Sequence, residues 1–210
     1  MLDLLPLFPL PNAVLFPNVF LPLHIFEPRY REMVADAVAS DRMIGMVLLR
    51  PGWERNYEGT PPIFPVGCSG VITHLERLPD GRYNIVLRGL ERFRIAEENH
   101  QRSYRRAVID SLPAPNPSDD DRVVIRATRT KLETMLASSS DSKGLDTRIP
   151  SAMSDEDLIN ALSQYLGLEA IEKQALLEQS SLRARAESLL ELLEMKSIVA
   201  RTPGMSNVAH

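Results

Sequence analysis

A run of serines next to a lysine, SSSDSKG from Ser138 to Gly144, contains two residue types that can together cleave a peptide bond. In that chemistry a desolvated, neutral lysine accepts the proton of a serine hydroxyl, which then acts as the nucleophile. The neighbours here are polar, so we expect Lys143 to stay solvated and protonated. We therefore interpret this run as a flexible linker and predict no catalytic residue in it.

Nucleotide and metal chemistry are not expected either. A nucleoside triphosphate is held by a loop of the form GxxxxGK[ST], and no lysine of this chain follows such a loop. The four histidines are far apart in sequence, and the single cysteine, Cys68, supplies no CxxC pair. Cys68 is expected to be an inert core residue. The sequence thus predicts no cofactor, no metal and no enzymatic activity.

Arginine and tyrosine alternate in one segment that could follow a phosphate backbone and stack a base. Acidic residues lie among these arginines and would cancel much of their field, and alternate strand positions on a barrel form a solvated face. RNA binding is therefore kept as the alternative hypothesis. Its candidate residues are Arg102, Tyr104, Arg105 and Arg106.

The composition is that of an ordinary globular protein of one or two domains, with 210 residues, 44% hydrophobic and 25% charged. No apolar run approaches the ~20 residues that span a bilayer. A single cysteine agrees with a reducing cytoplasm. Residues 1–113 carry equal numbers of basic and acidic side chains, so the net charge of −4 lies entirely in 114–210. The overall acidity argues against a dedicated nucleic-acid binder, and the asymmetry indicates two halves of different character.

The opening segment places six prolines between Leu, Phe, Val and Ile. Because proline lacks an N–H and fixes φ, this segment is predicted to form short extended pieces, Leu4 to Leu10 and Phe20 to Ile25, rather than a helix or a central strand. Pro28 to Ser40 has apolar residues at helical spacing and is predicted as the first helix. Ile44 to Leu49 is predicted as a short buried strand.

From Val66 onward the apolar period changes to two. Val71, Thr73 and Leu75 are predicted to share one strand face, and Leu78 to Arg82 has the chemistry of a turn. Tyr83 onward supplies the partner strand of a hairpin. In total we expect about six strands with one helix inserted early. This pattern indicates a small mixed β-barrel in an α+β protein, because helices do not alternate with strands.

Beyond Pro117 the chain is predicted to be helical. Ser118 and Ser154 resemble N-caps, each followed by acidic residues. Tyr165 is assigned to the apolar stripe of the helix that follows Ser154. The last helix has its own leucine-rich face, expected to be core. The predicted domains are a barrel with one inserted helix over 1–113, a linker over 114–117, a helical bundle over 118–201 and a disordered tail over 202–210.

Several stretches of the chain are similar to the N-terminal domain of Lon proteases. In the opening segment these are PLFPL (6–10), VLFP (14–17) and LPLHIFEPRY (21–30). VGCSGVI (66–72), LPDGRYNIVLRG (78–89) and LEAIEKQALLE (168–178) match the same family, so the resemblance covers nearly the whole chain. In that family this domain handles polypeptide substrates, and separate domains hydrolyse ATP and cut peptide bonds. The resemblance implies a PUA-like pseudo-barrel, a fold shared with RNA-binding modules.

Combined with the missing catalytic motifs, the resemblance implies a stand-alone, non-catalytic, cytoplasmic homologue. It would bind unfolded or extended polypeptide segments, or a partner protein, on exposed apolar and aromatic surface with a polar rim. The sequence leaves a homo-oligomer open, and a membrane is not an expected partner. The candidate polypeptide-binding residues are Phe16, Phe20, His24, Trp53 and Tyr57.

Two of these assignments leave a structural alternative open. Trp53 and Tyr57 lie in a loop rich in Pro and Gly, where large aromatics either contact a partner or fold back over a barrel end. Glu27, Arg29 and Arg31 either form the polar rim of a binding groove, or Glu27 lies near the N-terminus of the first helix and the arginines pair with acids.

Overall fold

The computed structural model describes residues 4–57, 59–138 and 153–201. The described chain contains six β-strands, five α-helices and a short 3₁₀ turn at Trp53–Asn56. The strands are β1 (Leu5–Leu10), β2 (Phe20–Ile25), β3 (Met43–Leu48), β4 (Val66–Arg77), β5 (Tyr83–Asn99) and β6 (Arg106–Ser111). The helices are α1 (Pro28–Val38), α2 (Asp119–Ser138), α3 (Asp155–Tyr165), α4 (Ala170–Leu177) and α5 (Leu182–Arg201). The predicted α+β class, with one helix inserted early among the strands, is confirmed.

The sheet closes on itself because β6 pairs on both of its sides. The strand order is β2-β5-β4-β3-β1-β6, with a further pairing between β5 and β6. β1 and β3 are parallel, and all other pairs are antiparallel. β5 is long enough to serve two partners, since its first half pairs with β2 and its second half with β6. β2 therefore lies outside the closed ring as an edge strand.

One buried aromatic ring fills the space between the ring strands. Phe93 on β5 is 1% exposed and packs with Leu5, Leu7, Val47 and Ala107. Two glycines make room for it, because a Cβ at Gly45 or Gly67 would lie 2.9 or 2.7 Å from Cζ of Phe93. Glycine at these two positions therefore allows the neighbouring strands to pack around the ring of Phe93.

The chain divides into two compact units. The first, which we call the sheet unit, is Met1–Pro113 with Asn160–Glu178, and the second is Ala114–Ile159 with Gln179–His210. This division differs from a single helical bundle over 118–201, because the end of α3 and all of α4 belong with the sheet. The predicted tail over 202–210 lies outside the described residues.

Side-chain amides explain why these helical residues belong with the sheet. The buried Gln164 accepts the backbone N–H of Phe16 at 3.2 Å, and the buried Asn160 donates to the carbonyl of Pro17 at 3.1 Å. On α4, Gln174 donates to the carbonyl of Val66 at 3.0 Å. A buried backbone N–H or C=O group without a hydrogen-bond partner costs roughly 1–3 kcal/mol of folding free energy. Each of these side-chain amides avoids that cost for one backbone group of the sheet unit.

In the second unit the predicted caps are confirmed. The Ser118 hydroxyl accepts the N–H of Asp121 at 3.1 Å, and the Ser154 hydroxyl accepts the N–H of Asp157 at 3.0 Å. The leucine-rich face of α5 is buried, as predicted. Arg183 joins α5 to α2 through Asp121 at 3.2 Å.

The backbone of Gly89 lies close to that of Phe16. A Cβ at Gly89 would lie 2.0 Å from the carbonyl oxygen of Phe16, a backbone atom that cannot move aside alone. Gly89→Ala is therefore expected to lower the free energy of unfolding by about 1–3 kcal/mol, measured by urea denaturation.

Gly167→Ala is the matched control, because a Cβ there meets no heavy atom within 4 Å. Its effect on the same free energy is expected to stay within about 1 kcal/mol. Equal losses in the two variants would contradict the packing described for Gly89.

Candidate functional site

The edge strand β2 exposes a row of apolar and aromatic side chains. Phe20, Pro22 and His24 are alternate residues of the strand and all are exposed. Phe26 continues the row just beyond the strand, 60% exposed and stacked on the His24 ring with centroids 6.3 Å apart. We call these four residues the β2 row.

The neighbouring strand gives the β2 row a polar border. Asn84 of β5 lies opposite His24, and its Oδ1 is 2.7 Å from His24 Nδ1. Arg82 NH1 lies 3.2 Å from the other ring nitrogen, Nε2. Because arginine can only donate, Nε2 must accept, and Nδ1 carries the hydrogen donated to Asn84. His24 is thus hydrogen-bonded through both ring nitrogens, which fixes the orientation of its ring.

The outward edge of β2 is poorly suited to pairing with a further strand. Gly89 donates its N–H to the carbonyl of Val19. The backbone N–H and C=O groups of the odd-numbered residues therefore point toward β5, and those of the even-numbered residues point to the open edge. Of these, Pro22 has no N–H to donate, and the carbonyl of Phe20 already accepts the hydroxyl of Tyr165 at 2.8 Å. The outward edge of β2 thus offers a further strand only an interrupted ladder.

A second feature of the sheet unit is a cleft of about 250 Å³, which we call the arginine cleft. It brings together residues from two predicted sets, namely Tyr57 from the polypeptide set with Arg102 and Arg105 from the RNA set. Tyr104 also contributes to its wall. The remaining lining residues are Pro9, Arg29, Tyr30, Leu49, Gly59, Thr60, Pro61, His100 and Ser103.

Arg29 anchors the loop that carries Trp53 and Tyr57. Its guanidinium lies 4.7 Å from the ring centroid of Tyr30 and 4.9 Å from that of Tyr57, and it pairs with Glu27 at 2.9 Å. The Tyr57 hydroxyl donates to the Glu27 carboxylate. Burial, and then this hydrogen bond, raise the pKa of Tyr57 above its ordinary value.

Trp53 packs edge-on against Tyr57, with ring centroids 5.3 Å apart. Both rings are half-buried, and their role in polypeptide contact stays a prediction. Glu27 and Arg29 pair with one another, as the structural alternative predicts.

The predicted RNA residues are extensively paired with acidic or polar groups. Arg105 makes a bidentate pair with Glu98 at 2.8 Å and donates to the carbonyl of Pro61 at 2.6 Å. Arg106 bonds Asn99 at 3.2 Å and lies away from the cleft lining. Arg102 is the most exposed of the three arginines, with 48% of its side chain accessible.

For two residues the prediction of a surface contact is wrong, because both are buried. Phe16 is 0% exposed, because Val14–Pro17 forms a buried run whose backbone is covered by the amides of α3. Tyr104 is 5% exposed and its hydroxyl donates to Asp36 at 2.6 Å, so its ring cannot stack on a base. Apolar character alone does not reveal which aromatics of a segment point inward.

Two aromatic residues were missed by the sequence reasoning. Phe26 continues the even-numbered spacing of Phe20, Pro22 and His24, and this spacing could have identified it. Tyr165 was assigned to an apolar helix stripe, yet it is 55% exposed and extends the aromatic surface next to Phe20. No local signal distinguishes Tyr165 from its buried neighbours, because its orientation depends on where α3 meets β2.

The remaining sequence expectations concern Cys68, metal binding, membrane spans and the serine-rich run. Cys68 is buried, as predicted. Within the described ranges, no three His, Cys, Asp or Glu side chains are grouped so that they could hold a metal ion. None of the helices in the described part of the chain is long and apolar enough to cross a membrane. The serine-rich run from Ser139 to Gly144 lies outside the described residues.

Sequence comparison places the chain among known proteins. A profile of one family, described as the ATP-dependent protease La (LON) substrate-binding domain, matches residues 4–195. The chain belongs to this Lon substrate-binding domain family. The resemblance noted in the sequence is thereby confirmed over nearly its full length.

Full-length relatives of this Lon-type domain are much longer. The chain is 29% identical over 200 residues to Lon protease 2 of Myxococcus xanthus, covering 92% of this chain and 24% of that protein. It is 28% identical over 200 residues to the Lon protease of Flavobacterium johnsoniae, again covering 24% of the relative. The chain therefore spans about a quarter of the length of these relatives.

Solved structures show the same fold. The N-terminal domain of the Mycobacterium avium complex Lon protease superposes with a TM-score of 0.68 at 17% identity, covering 91% of this chain and 98% of that one. A Lon N-terminal domain protein from Xanthomonas campestris gives a TM-score of 0.58 at 20% identity, covering 96% and 99%. At these identities the likeness establishes the fold alone.

The buried phenol of Tyr104 generates a prediction about pH. Burial, and then the hydrogen bond to Asp36, raise the pKa of Tyr104 to about 12, above its ordinary value of 10.0. The folded protein thus keeps a proton that the unfolded chain loses near pH 10. The stabilisation is present below pH 10 and is lost as pH rises from about 10 to 12.

The measurement is a phenolate absorbance titration of the wild type minus that of Tyr104→Phe. Under native conditions, verified by circular dichroism, the difference should show one phenol titrating near pH 12. In urea the same difference should move to about pH 10. A native difference centred near pH 10 would contradict the buried hydrogen bond.

Proposed function

We propose that this chain is a non-catalytic, cytoplasmic module that binds unfolded or extended polypeptide segments on the β2 row. The proposal rests on four exposed residues that alternate along the edge strand β2 and just beyond it, namely Phe20, Pro22, His24 and Phe26. It also rests on membership of a substrate-binding domain family. Exposed, contiguous apolar side chains rimmed by polar residues are typical of interaction sites.

The geometry suits an extended ligand. At about 3.3 Å per residue, the β2 row is roughly 20 Å long, which matches about six residues of an extended chain. Phe20 and Phe26 would bury apolar area against the ligand, and the polar side chains of Asn84 and Arg82, both bonded to His24, would border the contact. Since the outward backbone edge lacks a donor at Pro22, affinity would come mainly from side-chain burial and tolerate many sequences.

The RNA-binding alternative receives less support from these contacts. The charge of Arg105 is compensated by Glu98, and Tyr104 is buried against Asp36. No feature of the described residues favours RNA over polypeptide, so RNA binding stays an untested prediction.

The test is calorimetric titration of a permanently unfolded polypeptide, such as a reduced and alkylated secretory protein, against the purified chain. The double variant Phe20→Ser with Phe26→Ser is expected to weaken binding about tenfold or more, because two aromatic anchors are lost. Both side chains are largely exposed, so the unfolding midpoint should change little.

The matched control is Ile171→Ser, which removes an exposed apolar side chain, 50% accessible, from α4 of the same sheet unit. It should leave binding unchanged. The proposal fails if the wild type shows no binding at high micromolar concentration, or if the double variant and the control bind equally well.

A further inference from the structure

We infer that the arginine cleft binds the carboxylate of an acidic side chain, Asp or Glu, within an extended polypeptide. The inference rests on the proposed polypeptide-binding function and assigns a chemical preference to a second site in the same sheet unit. It is carried by the charges that line the cleft, by the engagement of the acids around Arg102 and by the size of the cavity.

The acid and base side chains in the lining of the arginine cleft include three arginines and no acid. Arg29, Arg102 and Arg105 all contribute to its wall, and none of the lining residues that the structure describes is an Asp or a Glu. Thr60 adds a hydroxyl group to the lining. An anionic group entering the cleft therefore meets guanidinium groups directly, while the acids that pair with these arginines lie outside the lining.

Arg102 is the arginine best placed to receive a ligand. Its NH1 lies 3.6 Å from Glu32 and 3.7 Å from Asp36, both longer than a normal N–H···O hydrogen bond of about 2.7–3.2 Å. Each of these acids is instead engaged by a hydroxyl at 2.6 Å, Glu32 by Ser103 and Asp36 by Tyr104. A ligand carboxylate could thus form a short, charge-assisted pair with Arg102 without displacing a strong internal bond.

The other two arginines are held in fixed positions. Glu98 and the carbonyl of Pro61 orient Arg105, and Glu27 with the rings of Tyr30 and Tyr57 orients Arg29. Pre-oriented donors lower the entropic cost of binding, because they do not have to be ordered by the ligand. The charges of these two arginines are compensated by their acidic partners, and Arg102 is the exposed contact.

The size of the cleft favours a single side chain over a nucleotide. Its volume of about 250 Å³ is below the roughly 300–1,000 Å³ of sites for drug-sized ligands. Pro9, Leu49 and the ring of Tyr30 contribute apolar surface that could cover the methylenes of a Glu side chain.

The experiment compares two fluorescent peptides with blocked termini and the same apolar, extended sequence, one with a central Glu and the other with Gln. Anisotropy titrations at low salt are expected to give about tenfold tighter binding of the Glu peptide to the wild type. Arg102→Ala should abolish this preference by weakening binding of the Glu peptide more than that of the Gln peptide. Arg94→Ala, an exposed arginine of β5 that does not line the cleft, should retain the preference.

The outcomes separate this inference from the proposed function. If both peptides bind equally well and both lose affinity in the Phe20, Phe26 double variant, only the carboxylate preference is overturned. If neither peptide binds, the proposed function fails and the inference fails with it. If a single-stranded RNA oligonucleotide binds more tightly than the Glu peptide and loses affinity in Arg102→Ala, the cleft is a nucleic-acid contact and the inference is overturned.

Discussion

The buried backbone groups of the proline-rich opening segment need hydrogen-bond partners, and the rest of the sheet unit depends on which residues supply those hydrogen bonds. Prolines interrupt the segment too often for it to join a continuous ladder, so Phe16 and Pro17 bond to side chains instead. Gln164 and Asn160 supply those bonds from α3, while Gly89 lets the backbone approach to a distance that no other residue permits. The opening segment, β5 and α3 are therefore mutually dependent.

This dependence shapes the surface that we assign to polypeptide binding. Val19 and Gly89 are joined by a backbone hydrogen bond, which fixes the register of β2 against β5 and directs the backbone groups of its even-numbered residues to the open edge. Tyr165 then bonds the carbonyl of Phe20, which removes an acceptor from that edge. Pro22 lacks a donor there, so a further strand would find an interrupted ladder, a feature that protects exposed edges against aggregation. The side chains of the β2 row remain exposed beside this edge.

Much of the fold could be predicted from local patterns, whereas the site depends on long-range contacts. The turn at Leu78 to Arg82 and the buried face of α1 follow from proline, glycine and helical spacing, and the structure has both. The period of two along β4 is interrupted between Ile72 and His74, where the register with β5 shifts. Ile72, at the start of this irregularity, is buried. The inward orientation of Phe16 and Tyr104, and the exposure of Tyr165, are set by residues 60 or more positions away. No single-segment pattern contains that information.

Amide hydrogen–nitrogen spectra of the labelled protein, recorded during titration with an unlabelled apolar extended peptide, test most directly whether polypeptides contact β2. We expect saturable shift changes concentrated in Phe20–Phe26 and in the facing residues of Tyr83–Arg88. Changes confined to α2 and α5, with β2 unaffected at saturation, would contradict this contact.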